Sequence, residues 1–151
     1  MDLKTPLATV LAHKGKPGTA LSVAPTVTVA AAVDLINQNK VGSVLVMDQG
    51  RLVGIFTERD VLRRVVGERR DPEKARVADV MTRELVVMRP TSTVQDAMQV
   101  ISERRIRHLP VIEGGQVIGV ISQGDLNHWL VRDREVEIQT LVEYVTGKYP
   151  G

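Results

Sequence analysis

Short apolar runs alternate with polar turns along this chain, and the same rhythm occurs twice. In the first half, Leu21 and Val23 lead into Pro25 as a short extended piece. Thr28 stands where a helix can be capped. Val29, Ala32, Val33 and Ile36 follow at spacings of three and four, the mark of one apolar helix face. Val41–Met47 is a compact apolar run that predicts a strand, Asp48-Gln49-Gly50 a turn, and Leu52–Phe56 a second strand. Thr57 then opens a further helix whose inner face is expected to be Val61, Leu62, Val65 and Val66, with Gly67 as its stop. The second half predicts strand Leu85–Met88, helix Val94–Ser102, strand Leu109–Ile112, turn Glu113-Gly114-Gly115, strand Val117–Ile121 and a helix from Ser122 through Leu130. The inner strands are continuously apolar rather than alternating. Both their faces are therefore expected to be buried, with helices covering the sheet.

The two halves are copies of one unit. A shift of 65 residues lays Pro25–Val61 on Pro90–Leu126 without a gap. Pro25, Thr26, Thr28, Val29, Ala32, Ile36, Val46, Gly50, Gly54 and Asp60 meet identical residues, and most other pairs keep their character. The first repeat is drawn as 8–67, a polar linker as 68–78, the second repeat as 79–131 and a terminal helix as 132–147. That last helix carries Val136, Leu141, Val142 and Val145 on one rough stripe, a surface on which two chains can pair or which folds back onto its own module. A repeat of this size holds too little core to stand alone. The expected architecture is α+β: two β-α-β-β-α repeats packed face to face with pseudo-two-fold symmetry, their chemistry in the clefts between them.

Composition narrows the classes. Of 151 residues, 43% are hydrophobic and 25% charged, the balance of a folded protein rather than a disordered one. Four aromatic residues against 25 valines make the core aliphatic. The absence of cysteine excludes a disulfide scaffold, a thiol nucleophile, an iron–sulfur cluster and a cysteine-bound zinc, and it fits a cytoplasmic location. No uncharged apolar run is long enough to span a bilayer, so no membrane insertion is expected. Twenty basic residues face 18 acidic ones, and the nine Lys or Arg between Glu58 and Arg89 are interleaved with seven acids. A duplex-binding protein needs a concentrated basic face, so a nucleic-acid partner is the lesser reading.

Two phrases carry candidate chemistry. Gly54-Ile55-Phe56-Thr57-Glu58-Arg59-Asp60 is echoed by Gly119-Val120-Ile121-Ser122-Gln123-Gly124-Asp125. In both, a buried strand ends on a hydroxyl and a carboxylate follows one helical turn later. Hydroxyl and exposed amides can hold a phosphate, and the carboxylate can accept from the vicinal hydroxyls of a ribose. The plain alternative is a helix cap with an acid in the first turn. The second phrase is Arg104-Arg105-Ile106-Arg107-His108-Leu109, positive charge at a strand entrance, suited to a phosphate or else a solvated helix end beside Glu103. The matching first-copy stretch, Asn39–Leu45, is almost uncharged, so the two clefts are chemically unequal. No catalytic set stands out. His13, His108 and His128 lie at no metal-ligand spacing, and there is no Gly-rich phosphate loop or nucleophile elbow.

The repeat, the Gly-x-x-Thr/Ser-x-x-Asp endings, Ile106-Arg107-His108-Leu109-Pro110-Val111 and Asp79-Val80-Met81-Thr82 together resemble a stand-alone tandem CBS-domain pair, or Bateman module, over roughly Val10–Leu130. The resemblance implies a non-enzymatic sensor of adenine nucleotides: AMP first, or ADP, ATP or NAD. It places Thr57 and Ser122 on phosphate and Asp60 and Asp125 on ribose. Backbone at Gly42, Ser43 and Val44, and at Arg107, His108 and Leu109, would frame the adenine. Arg59 flanks the first hydroxyl; Gln123-Gly124 replaces Glu58-Arg59 in the second copy, where Arg105 or Arg107 can serve instead. No cofactor or metal is required. A homodimer and a separate target enzyme or transporter are the partners implied. Rival readings are a nucleic-acid binder, an interaction-only scaffold and a small nucleotide hydrolase.

Overall fold

In the computed structural model, which describes residues 3–14 and 21–132, the elements run α1 (Leu7–Ala12), β1 (Ser22–Val23), α2 (Val29–Asn39), β2 (Ser43–Asp48), β3 (Arg51–Thr57), α3 (Glu58–Asp60, continued by a π-helical turn Val61–Val66), α4 (Val77–Val80), α5 (Val94–Arg104), β4 (His108–Glu113) and β5 (Gln116–Ser122). A last helix, α6, covers 123–132. The described residues form two units, one of 21–87 and one of 3–14 together with 88–132. The terminal helix drawn at 132–147, with its apolar stripe, lies outside the described residues beyond 132.

Each unit is built as its apolar pattern predicts. Thr28 caps α2 by accepting from the Ala31 amide at 3.2 Å, and Val29, Ala32 and Ile36 are its buried face. They pack with Val44 and Val46 of β2, Phe56 of β3 and Val65 in one core. β2 and β3 pair antiparallel around Gln49-Gly50, both with positive φ, the two-residue turn that matches strand twist. The second copy repeats this with Gly114-Gly115. Even the irregularities coincide: the register shifts at Val46/Met47 and at Val111/Ile112. α2 and α5 both end on a left-handed residue, Lys40 and Arg105.

Three expectations change on folding. Leu85–Met88 is not a strand; only Met88 bridges to Val111. In the first copy the Leu45 amide donates to the Leu21 carbonyl, so β1 pairs parallel with β2. The residue equivalent to Leu45 is Pro110, which has no N–H, and the ladder there shrinks to the Met88 amide on the Pro110 carbonyl and the Ile112 amide on the Met88 carbonyl. Second, Leu62 and Val66 are not core: they are 66% and 63% exposed, and Val65 alone of the four expected positions is fully buried. The π turn, closed by the Gly67 amide on the Leu62 carbonyl, advances the helix less per residue and turns that pair outward. Gly67 itself keeps a right-handed φ; a Cβ there would lie 2.5 Å from the Arg63 carbonyl oxygen, so close backbone approach is what requires glycine.

The third difference concerns the segment ahead of each repeat. α4, which follows the first repeat, belongs to the 21–87 unit: the Val77 and Ala78 amides donate to Val27 and Pro25, and Val77 and Val80 are fully buried. α1 makes the matching bonds in the other unit. There the Leu7 and Ala8 amides donate to Ser92 and Pro90, and Leu7 and Val10 are buried. The glycines on the central strands receive these segments. A Cβ on Gly54 would lie 2.6 Å from Met81 Sδ, and one on Gly119 2.7 Å from Leu11 Cδ2. Residues 8–14, drawn with the first repeat, thus pack with the second. Their apolar pattern specifies a buried helix face and leaves open which glycine-faced hairpin it covers.

Candidate functional site

Two strand ends meet at the same place in each unit. Ser43, entering β2, stands opposite Thr57, leaving β3, and the Glu58 amide donates to the Gly42 carbonyl at 3.1 Å. His108 stands opposite Ser122, and the Gln123 amide donates to the Arg107 carbonyl at 2.8 Å. Gly42, Ser43 and Val44 are thereby brought beside Thr57 and Asp60; Arg107, His108 and Leu109 are brought beside Ser122 and Asp125. Val44 and Leu109 are buried, while Arg107 is exposed. Arg105 is the exposed cap of α5, and Arg59 is half-buried in the first turn after Thr57.

In the first copy the carboxylate is committed. Thr57 and Asp60 form a reciprocal capping box: the Asp60 amide donates to the Thr57 hydroxyl oxygen at 3.2 Å, and Asp60 Oδ2 accepts from the Thr57 amide at 3.0 Å and is 3.2 Å from its hydroxyl. Oδ1 accepts from the Thr82 hydroxyl at 2.9 Å. Arg64, one turn on, brings Nε within 4.0 Å of Oδ1 and donates through Nη1 to the Met81 carbonyl at 2.9 Å. The Asp60 side chain is only 7% exposed.

The second copy repeats the box with other neighbours. The Asp125 amide donates to the Ser122 hydroxyl at 3.0 Å, and Asp125 Oδ2 accepts from the Ser122 amide at 2.8 Å. The cation on Asp125 comes from the far end of the sequence: Lys14 Nζ is 2.8 Å from Oδ2 and donates to the Val120 carbonyl at 2.7 Å. Trp129 occupies the position equivalent to Arg64, edge-on to His13 with ring centroids 5.0 Å apart. Asp125 is 23% exposed, three times as open as Asp60.

Thr82, Arg64 and Lys14 were not singled out by the sequence. Thr82 closes the Asp79-Val80-Met81-Thr82 phrase and Arg64 follows Asp60 at the helical spacing of four, so both left a signal. Lys14 left none, because its role depends on α1 docking against β5. Among the described residues, no group of three or more His, Asp or Glu is arranged to hold a metal. No helix among them is long and apolar enough to cross a membrane.

A family model of the CBS domain matches residues 19–67 and again 77–132. The chain belongs to the CBS-domain family. It is 37% identical over 96% of its length to the CBS domain-containing protein CBSX3, mitochondrial, of Arabidopsis thaliana, covering 74% of that protein. To the CBS domain-containing protein YhcV of Bacillus subtilis it is 35% identical over 70% of its length, again 74% of the relative. Among solved structures, a CBS-domain containing protein from Agrobacterium tumefaciens is 34% identical, with a TM-score of 0.76 over 86% of this chain and 99% of that one. CBS domains generally bind adenine nucleotides or other regulatory ligands and act as sensor modules, and CBS-domain pairs are typically regulatory and non-catalytic.

Proposed function

We propose that this CBS-domain pair senses an adenine nucleotide, AMP first and ADP, ATP or NAD after it, and passes the ligand state to a separate target protein. The observation that carries the reading is the repeated strand-end box: a hydroxyl and a carboxylate three residues apart, beside strand-entrance backbone, in both copies. Ser122 and the first amides of α6 suit a phosphate; Asp125 suits the two ribose hydroxyls; the Arg107–Leu109 backbone suits adenine edges, among aliphatic side chains. The Ser122–Asp125 site fills first, because its carboxylate is the more open. At the Thr57–Asp60 site a ribose must compete with the Thr82 hydroxyl for Asp60. A distant structure of a CBS-domain pair was solved in complex with 5′-methylthioadenosine and S-adenosyl-L-methionine; at 19% identity it shares the fold. A homodimer and a cytoplasmic location complete the reading.

Titration calorimetry with AMP, ATP and NAD tests it. The expected result is binding below about 1 mM, weakened by about 1.5–3 kcal/mol in Asp125→Ala, the worth of a hydrogen bond to a charged group. If none of the three binds in that range, the chain is better read as an interaction scaffold.

A further inference from the structure

We propose that Lys14 makes the Ser122–Asp125 site select ligands that carry a phosphate; this rests on the reading that the site holds an adenine nucleotide. The comparison between copies is the ground for it. In the 21–87 unit, Thr82 satisfies two acceptors: its amide donates to the Ile55 carbonyl at 2.9 Å and its hydroxyl to Asp60 at 2.9 Å. The equivalent acceptors in the other unit are the Val120 carbonyl and Asp125, and the single ammonium of Lys14 serves both, at 2.7 and 2.8 Å. At this position one copy thus places a neutral residue, with the Arg64 guanidinium 4.0 Å from the same carboxylate oxygen, while the other copy places a cation in direct contact with carboxylate and carbonyl.

That cation is well placed for an anionic ligand. Lys14 remains 35% exposed, and an ammonium has three N–H bonds, of which these contacts use two. Asp125 Oδ2, which holds Lys14, also accepts from the Ser122 amide, so ammonium, carboxylate and hydroxyl converge at the start of α6. Half-exposed ion pairs add little to stability, so the pair is a weak reason to keep a lysine for folding alone. A phosphate oxygen reaching Ser122 would take the third N–H while Asp125 keeps the ammonium in place. The ribose and the phosphate are then read by one coupled pair, and an uncharged nucleoside gains nothing from Lys14.

The test compares AMP with adenosine by titration calorimetry of the full chain, in the wild type, Lys14→Met and Lys14→Arg. Lys14→Met is expected to weaken AMP about tenfold or more, the scale of a charge-assisted hydrogen bond, and to leave adenosine unchanged; Lys14→Arg keeps most of the preference. A Lys14→Met protein with the wild-type AMP-to-adenosine ratio would show that Lys14 only pins α1, and would leave the nucleotide reading intact. A wild type that binds neither compound would overturn the nucleotide reading and this proposal together. Should Lys14→Met not fold, the wild-type ratio decides: it must fall as salt rises from about 0.05 to 0.5 M, and a constant ratio refutes the proposal.

Discussion

The 21–87 unit and the unit of 3–14 with 88–132 share a backbone down to one β-bulge, yet hold the same carboxylate by different means. In the first, Asp60 is buried under Thr82 with Arg64 beside it on the same helix. In the second, Asp125 is partly open and is held by Lys14 from a segment more than a hundred residues away. The backbone follows the apolar pattern and turn chemistry, which the repeat copies faithfully. The chemistry follows the segments laid on each repeat from outside, α4 with Thr82 and α1 with Lys14, which share an apolar pattern, Leu7-Ala8 with Val10-Leu11 beside Val77-Ala78 with Val80-Met81, but differ in their polar residues. A tandem repeat can thus keep one scaffold while its two sites diverge.

The largest effect should come from removing α1's anchor. Leu7→Ala is expected to destabilise its own unit by about 2–5 kcal/mol, the range for truncating a buried leucine. Hydrogen exchange should show the loss of protection in 88–132 before 21–87. Loss appearing first in 21–87 would break the assignment of α1 to the second copy.

Asymmetry between the acids comes next. Asp60→Ala removes a capping box and strips the Thr57 amide and Thr82 hydroxyl of their acceptor, which should cost about 2–4 kcal/mol in urea unfolding. Asp125→Ala loses a more exposed cap and should cost only about 1 kcal/mol. Equal losses would erase the distinction between a structural and an available carboxylate.

The glycine pair gives the smallest and sharpest contrast. Gly54→Ala drives a methyl against Met81 Sδ and to 3.0 Å from the Thr82 carbonyl oxygen, and should cost about 1–3 kcal/mol. Gly119→Ala meets only the flexible end of Leu11 and should cost less, with the change confined to α1. Thermal melts of the two variants, compared side by side, check the order.

Much of this was legible in the sequence, and the exceptions have physical causes. The repeat, both hairpins, the Thr28 cap and the pairing of Thr57 with Asp60 and Ser122 with Asp125 follow from local spacing, which is what a sequence displays. Leu85–Met88 reads as a strand because its own residues permit one; the defect lies in its partner, Pro110. Leu62 and Val66 fall on the wrong face because a π turn changes the period on which the face was drawn. Lys14 was invisible for a different reason: a side chain acquires a role at Asp125 only after α1 docks, and docking is tertiary.

The most direct measurement is a crystal structure of the chain with AMP. The ribose hydroxyls should lie within hydrogen-bond reach of Asp125, with the phosphate on the Ser122 hydroxyl and the Lys14 ammonium. AMP bound away from these residues, with the Lys14–Asp125 pair undisturbed, would contradict the account.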